Sequence, residues 1–379
     1  LRGDFALSSI VSSHKGLESF PSVAERHQEI EASSLINGRV GLTTIIPMLT
    51  SVGCPYSCNF CVDWNNKYQP LPADQVREDL DYTSRNFKGA LIGYHDPNFA
   101  VRFDETMDLI ETIPADRRNG YIMESSLSIL KESRLARLRD TKCVYVAPGI
   151  ESWVDYSNKS GAVGKSGREK LEQVVEHMHQ LSRFVPGIQA NILFGTEDDR
   201  GDEPVKLTQE FITRTPEIWP TINIPTPFGG TPLYDSYCAE DRVLRAMPFA
   251  LYYNPYLAIK PRHYSAEEYY RHLISIHETL VAPAAWLRRV TTRQSLPIKF
   301  IHGLRSYAAL RELRELRQIH HQLLTDPDFS AFHEGESDSL PTFYMLEIDR
   351  RLGSYASLLG ASERRPVFTE TQEVERAVV

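Results

Sequence analysis

Between residues 42 and 235, short apolar β-branched runs alternate with stretches whose apolar residues recur at helical spacing. Residues 43–49 (TTIIPML) predict a first strand, and 73–87 a helix with Val76, Leu80, Thr83 and Phe87 on one face. Residues 90–94 predict a second strand ending in His95-Asp96-Pro97-Asn98, followed by a helix over 104–113 with Asp104 as its N-cap. Residues 120–123 and 143–147 read as strands three and four, flanking a helix through Leu130, Leu135 and Leu138. An amphipathic helix over 168–184, a fifth strand over 188–194, a helix over 204–213 and a sixth strand over 221–224 complete the series. Strands alternating with helices predict an α/β fold with a parallel sheet, and six units suit a partial (β/α)6 TIM-type barrel better than a full one. Barrels of this type carry their chemistry at the C-terminal ends of the strands.

The flanks differ in character. Residues 1–41 are polar and Ser-rich and read as an N-terminal strap or linker. Residues 236–379 read as a mainly helical C-terminal extension covering the substrate side, with helices over 266–281, 298–325 and 341–360. Its first part is dense in Tyr and Pro. There Tyr252, Tyr253, Tyr256, Arg262, His263 and Tyr264 either line a substrate space or pack the extension onto the barrel.

Composition narrows the class. With 41% hydrophobic and 24% charged residues, the 379-residue chain has an ordinary globular balance. A net charge of −8 argues against a nucleic-acid partner, or an anionic membrane, held by bulk electrostatics. No apolar run approaches the roughly 18 residues of a membrane span, and no secretory leader is visible, so a cytoplasmic location is expected. The chain begins at Leu1 rather than Met, which leaves room for upstream residues.

Cysteine usage adds chemistry. Three of the five cysteines fall in one eight-residue loop, Cys54-Pro55-Tyr56-Ser57-Cys58-Asn59-Phe60-Cys61, directly after the first predicted strand. Three thiolates can hold three irons of a [4Fe–4S] cube and leave the fourth open, whereas clusters that only carry electrons usually have four cysteines. The alternative is a zinc site with His95 as fourth ligand, although structural zinc more often uses paired CxxC units. Cys143 and Cys238 are isolated, so a second cluster lacks ligands and a disulfide framework is not indicated. Two other motifs carry less. Gly161-Ala162-Val163-Gly164-Lys165-Ser166 lacks the first glycine of a phosphate loop, because Lys159 stands there. His177 and His179, two apart on a predicted helix, face different sides and read as surface residues.

The loop resembles the CxxxCx(aromatic)C signature of the radical S-adenosylmethionine (SAM) superfamily, with Phe60 in the aromatic place. The resemblance covers about residues 42–235. It implies a [4Fe–4S] cluster on Cys54, Cys58 and Cys61 whose open iron chelates SAM, and reductive cleavage to a 5′-deoxyadenosyl radical that abstracts a substrate hydrogen. By the same resemblance Asp96 receives the SAM amino group, although the family's double glycine is missing and a simple turn accounts for Asp96-Pro97-Asn98 equally well. Glu151 and Ser152 take the ribose and carboxylate contacts; a helix N-terminal charge is the other reading of Glu151. Asn191 and Phe194 lie beside the adenine, and Tyr56, Phe60 and Phe228 complete the expected cofactor-binding set.

Pro225-Thr226-Pro227-Phe228-Gly229-Gly230-Thr231-Pro232-Leu233-Tyr234 resembles the P-x-x-G-T-P-L-Y turn of the branch often fused to a cobalamin domain, which includes bacteriochlorophyll-cyclase-like and hopanoid-modifying members. Only 41 residues precede the barrel, without an Asp-x-His-x-x-Gly motif, so such a domain is either lost or outside this chain. The expectation is therefore direct deoxyadenosyl-radical chemistry on a small organic substrate, with an electron donor such as flavodoxin or ferredoxin. A cobalamin-dependent radical SAM methyltransferase with a separate cobalamin domain is the alternative. A zinc- or cluster-binding interaction protein is the third reading.

Overall fold

The computed structural model describes residues 20–41, 44–154 and 164–358. Thr43, residues 1–19 of the N-terminal strap, the phosphate-loop look-alike at 161–163 and positions 359–360 lie outside the described residues. In chain order the elements begin with α1 (His27–Ser34), β1 (Ile45–Met48), β2 (Ser51–Val52), β3 (Gln69–Pro70) and α2 (Ala73–Asn86). They continue through β4 (Leu91–Tyr94), α3 (Phe103–Glu111), β5 (Tyr121–Ser126), α4 (Glu132–Asp140), β6 (Cys143–Glu151) and α5 (Gly167–Ser182). β7 (Gly187–Leu193), α6 (Glu203–Arg214), β8 (Trp219–Asn223) and α7 (Pro232–Ala239) follow. The chain then runs through α8 (Ala266–Val281), α9 (Pro283–Thr291), α10 (Leu296–Thr325), α11 (Pro327–Glu334) and α12 (Thr342–Leu352).

Six strands form one sheet in the order β1-β4-β5-β6-β7-β8, every neighbouring pair parallel. This is an α/β partial barrel of TIM type with a helical C-terminal region, as the alternating pattern predicts. Strand residues alternate in environment: Ile46, Ile92, Val146, Ile188 and Ile222 are buried under the helices. Ile45, Ile122, Gln189, Asn191 and Thr221 face the concave side and are only partly covered. The helices follow their periodicity: α5 buries Leu171, Val174, Val175, Met178 and Leu181, each a contribution of about 1.5–3 kcal/mol.

The two edge strands are joined at the C-terminal end of the sheet. Leu233 N–H donates to the Asn59 carbonyl at 3.0 Å, and Trp64 Nε1–H donates to the Gly230 carbonyl at 2.9 Å. The loop after β1 thus meets the turn after β8, which curls the sheet toward a barrel although the strands at its edges do not pair.

Several expectations change. Asp104 does not cap α3: Arg102 precedes the helix and Asp104 sits in the first turn, where its charge still suits the helix dipole. The strap holds α1, whose Ile30 is buried, and the Val23 N–H donates to Asp79 at 2.6 Å. α7, α9 and α11 were not anticipated, although Thr231-Pro232 and Asp326-Pro327 are N-cap and first-turn pairs. His177 and His179 are half-buried rather than surface residues; each donates to one backbone carbonyl, Leu130 and Arg214 respectively.

Candidate active site

The cysteine loop leaves β1 at the C-terminal face of the sheet. Gly53 makes its entry: φ is +66°, and a Cβ would lie 2.3 Å from the Lys67 carbonyl oxygen, so only glycine lets the returning chain pass. The Cys54 N–H then donates to the Asn66 carbonyl at 3.0 Å and closes the loop. Cys54 is buried, Cys58 and Cys61 are half-buried, and none of the five cysteines is in a disulfide. Cys143 starts β6, at the far end of the barrel, where burial pushes its thiol up to about 12.

Hydrogen bonds tie this loop to neighbouring strand ends. Asp96, buried after β4, accepts from the Thr50 N–H at 3.0 Å and from the Thr50 and Ser51 hydroxyls at 2.6 Å each. Burial raises its pKa and these bonds oppose the rise. The carboxylate expected to receive an amino group is therefore largely committed to holding the loop. Asn98 accepts from the Ser126 N–H at 3.0 Å, linking the same turn to β5. Tyr56 shares a hydrogen bond of 2.6 Å with Ser128, and Phe60 packs on the core.

A second knot lies across β6 and β7. Glu151 ends β6 at φ +64°, a conformation a glutamate rarely adopts, and its side chain doubles back over Gly149 into space that a Cβ there would fill. Ser152 donates to Asp199 at 2.9 Å, and Asp199 also accepts from the Gly195 and Thr196 N–H groups at 2.8 and 2.9 Å. Burial raises the Asp199 pKa and the hydrogen bonds act against it. The Lys170 ammonium, buried beneath, donates to the Ser152 and Val154 carbonyls. Asp199 and Lys170 were missed from the sequence, and Ser152 is joined to both through its hydroxyl and its carbonyl.

The Phe194 ring is buried, 5.2 Å from Tyr269 and 5.8 Å from Tyr264. Asn191 faces the lumen, where Gln189 donates to it at 2.7 Å, and Phe228 is exposed in the turn after β8. The Tyr/Pro segment packs: Tyr264 donates to the Gly201 carbonyl at 2.9 Å, and Tyr256 donates to Glu347 at 2.9 Å. Arg262 pairs with Glu197 at 3.0 Å, and His263 donates to the Glu197 carbonyl, clamping the loop after β7.

Within the lumen lies a cavity of about 410 Å³, walled by Ile45, Ile122, Tyr145 and Ala147, with Asp63, His95, Asp96, Glu124 and Gln189 as polar residues of its lining. Asp63, two residues after Cys61, brings the cysteine loop into the cavity lining. Among the described residues no three His, Cys, Asp or Glu side chains gather closely enough to hold a single metal ion, His95 included. A cubane cluster takes its thiolates on separate irons and so needs a wider triangle. Three soft donors on one closed loop fit that group better than zinc.

Residues 48–205 match the radical SAM superfamily. A [4Fe–4S] cluster and SAM are the cofactors of that superfamily. Among curated proteins it is similar to the bacteriochlorophyllide d C-12(1)-methyltransferase of Chlorobaculum tepidum, 24% identical over 68% of this chain and 55% of that protein. It is also similar to the hopanoid C-3 methylase of Methylococcus capsulatus, 23% identical over 61% of this chain and 43% of that protein. The chain spans about half the length of these relatives. Among solved structures, the radical SAM methyltransferase TsrM from Kitasatospora setae aligns with a TM-score of 0.49 at 14% identity, over 74% of this chain and 62% of that one. No helix among the described residues is long and apolar enough to cross a membrane.

Proposed function

We propose that the chain is the catalytic part of a radical SAM enzyme in which Cys54, Cys58 and Cys61 hold the cluster. Bound there and reduced, the cluster supplies one electron to SAM and so gives access to a 5′-deoxyadenosyl radical. The observation that carries this reading is the single closed loop of three thiols, fastened to both edges of the barrel at the end of the sheet where Asp63 of the same loop lines the lumen cavity. The protein's part is positional. Asp96 fixes the loop through Thr50 and Ser51, while Ser152, Asp199 and Lys170 fix the strand end that presents Glu151. Glu151 is the proposed SAM contact, with Asn191 at the lumen wall and Phe228 at its rim. Walls of Ile45, Ile122 and Ala147 suit a substrate with an apolar skeleton.

The reaction outcome is weighed by the relatives, whose names describe methylation of a bacteriochlorophyllide and of a hopanoid. They favour methyl transfer to carbon over the hydrogen abstraction without methylation expected from the sequence, with cobalamin supplied from outside residues 42–235. Hydrogen abstraction alone is the second reading, and a flavodoxin or ferredoxin is the proposed donor for both. Anaerobic reconstitution with iron and sulfide, then dithionite and SAM labelled in its methyl group, tests this. With hydroxocobalamin and a test substrate present, label in the product supports methyl transfer. Deoxyadenosine formation with unlabelled, altered substrate supports the second reading. No SAM consumption from an intact cluster rejects both.

A further inference from the structure

A chain with a net charge of −8 carries one segment of opposite character. Residues 283–311, which comprise α9 and the first half of α10, contain six Lys or Arg and no Asp or Glu. The nearest carboxylates on either side are engaged: Glu278 pairs with Arg317 at 2.7 Å and Glu312 with His277 at 3.5 Å.

The same segment exposes its large apolar side chains. On α10 the inward face is filled: Ile298, His302 and Ala309 are buried, with the His302 ring 5.8 Å from Trp219. The opposite face of a helix packed on one side should be polar. Here it presents Leu296, Phe300, Leu304 and Tyr307, spaced i, i+4, i+8 and i+11, with Leu296 81% and Phe300 68% exposed. Trp286 and Leu287 are exposed on α9 as well. Around them Arg293 and Arg311 are exposed, and Arg288 and Lys299 half-buried.

An apolar stripe of Trp, Phe, Leu and Tyr, flanked only by cations, is the pattern of an element that lies in the interface of a lipid bilayer. A protein partner would have to match it with an apolar patch ringed by carboxylates, whereas an anionic bilayer presents an apolar layer under fixed negative charge over its whole surface. The lack of any carboxylate over 29 consecutive positions adds a preference for an anionic surface, at about 1 kcal/mol per cation near the headgroups. We propose that α9 and the N-terminal half of α10 dock this protein peripherally on anionic membranes, with the stripe in the acyl boundary and the four cations at the headgroups. The inference rests on this surface alone and not on the proposed reaction. Global charge hides it because the acidic excess lies outside residues 283–311.

The face lies by the N-terminal ends of β7 and β8, where Gln294 donates to the Pro186 and Glu217 carbonyls, far from the cysteine loop. Substitutions there therefore leave cluster loading as a control. The test is co-sedimentation of the full chain with vesicles of 3:7 phosphatidylglycerol to phosphatidylcholine and of phosphatidylcholine alone. Binding at least tenfold tighter to the anionic vesicles, weakened by salt, is expected. The triple variant Phe300→Ser, Leu304→Ser, Tyr307→Ser and the triple variant Arg293→Glu, Lys299→Glu, Arg311→Glu should each lower it at least tenfold with unchanged circular dichroism. Absence of binding, or equal binding to both vesicles, overturns the proposal. So does a stable dimer in light scattering that Leu304→Ser abolishes, which would assign the face to a second copy.

Discussion

The carboxylate of Asp96 accepts both the backbone N–H and the hydroxyl of Thr50, at 3.0 and 2.6 Å, across two strand ends 46 residues apart in sequence. This joins the start of the cysteine loop to the neighbouring strand. Asp96→Ala leaves the Thr50 and Ser51 donors without their acceptor, a loss of about 1–3 kcal/mol. Urea unfolding of the apoprotein should show it, and iron and sulfide content after reconstitution should fall with it.

Two glycines separate backbone strain from steric exclusion. Gly89 has φ +83° with nothing within 4 Å of a Cβ, so Gly89→Ala should lose only the left-handed penalty, about 1–2 kcal/mol. Gly53→Ala meets the same penalty and a carbonyl oxygen at 2.3 Å. It should be markedly less stable than Gly89→Ala and load less iron. Equal behaviour of the two variants would show that the loop does not need the close approach.

Glu151 and Asp199 should divide into contact and support. Glu151→Ala should weaken SAM binding to the reconstituted protein by roughly tenfold, about 1.4 kcal/mol, with iron content unchanged. Asp199→Asn cannot accept from Ser152, Gly195 and Thr196 together, so it should lower both SAM affinity and thermal stability. Calorimetric titration with SAM beside thermal melts distinguishes the two.

The helical region should be acid-sensitive. Burial depresses His333 to about 3 and His302 to about 4, against an ordinary value of 6.5. A base with a depressed folded pKa contributes stability above its unfolded pKa, and that contribution is lost as pH falls from 6.5 toward 3. The slope is at most about 1.4 kcal/mol per pH unit for each group. His333→Gln keeps a partner for Tyr344, whose hydroxyl lies 2.7 Å from the His333 ring, and removes the titration. Its melting temperature should fall less between pH 7 and pH 5 than that of the parent.

Local periodicity made the sheet legible: α5, β7 and α6 lie within two residues of their sequence-derived bounds because each has a complete apolar face. The thiol loop was legible because three cysteines at fixed spacing have few other uses. What could not be read was pairing at long range. Nothing local distinguishes a carboxylate that binds SAM from one that accepts Thr50, or indicates that Ser152 would find Asp199 47 residues later. Phe194 shows the same ambiguity: an aromatic at a strand end suits a ligand or a core, and its partners Tyr264 and Tyr269 lie 70 and 75 residues along the chain. Net charge misled in another way, since an average over 379 residues conceals a cationic stretch of 29.

The most direct test of the central claim is deoxyadenosine formation by the anaerobically reconstituted protein with dithionite and SAM, measured beside Cys58→Ala. The account predicts deoxyadenosine and methionine in equal amounts from the parent and none above background from the variant. A fully loaded cluster that leaves SAM intact, or equal turnover by Cys58→Ala, would contradict it.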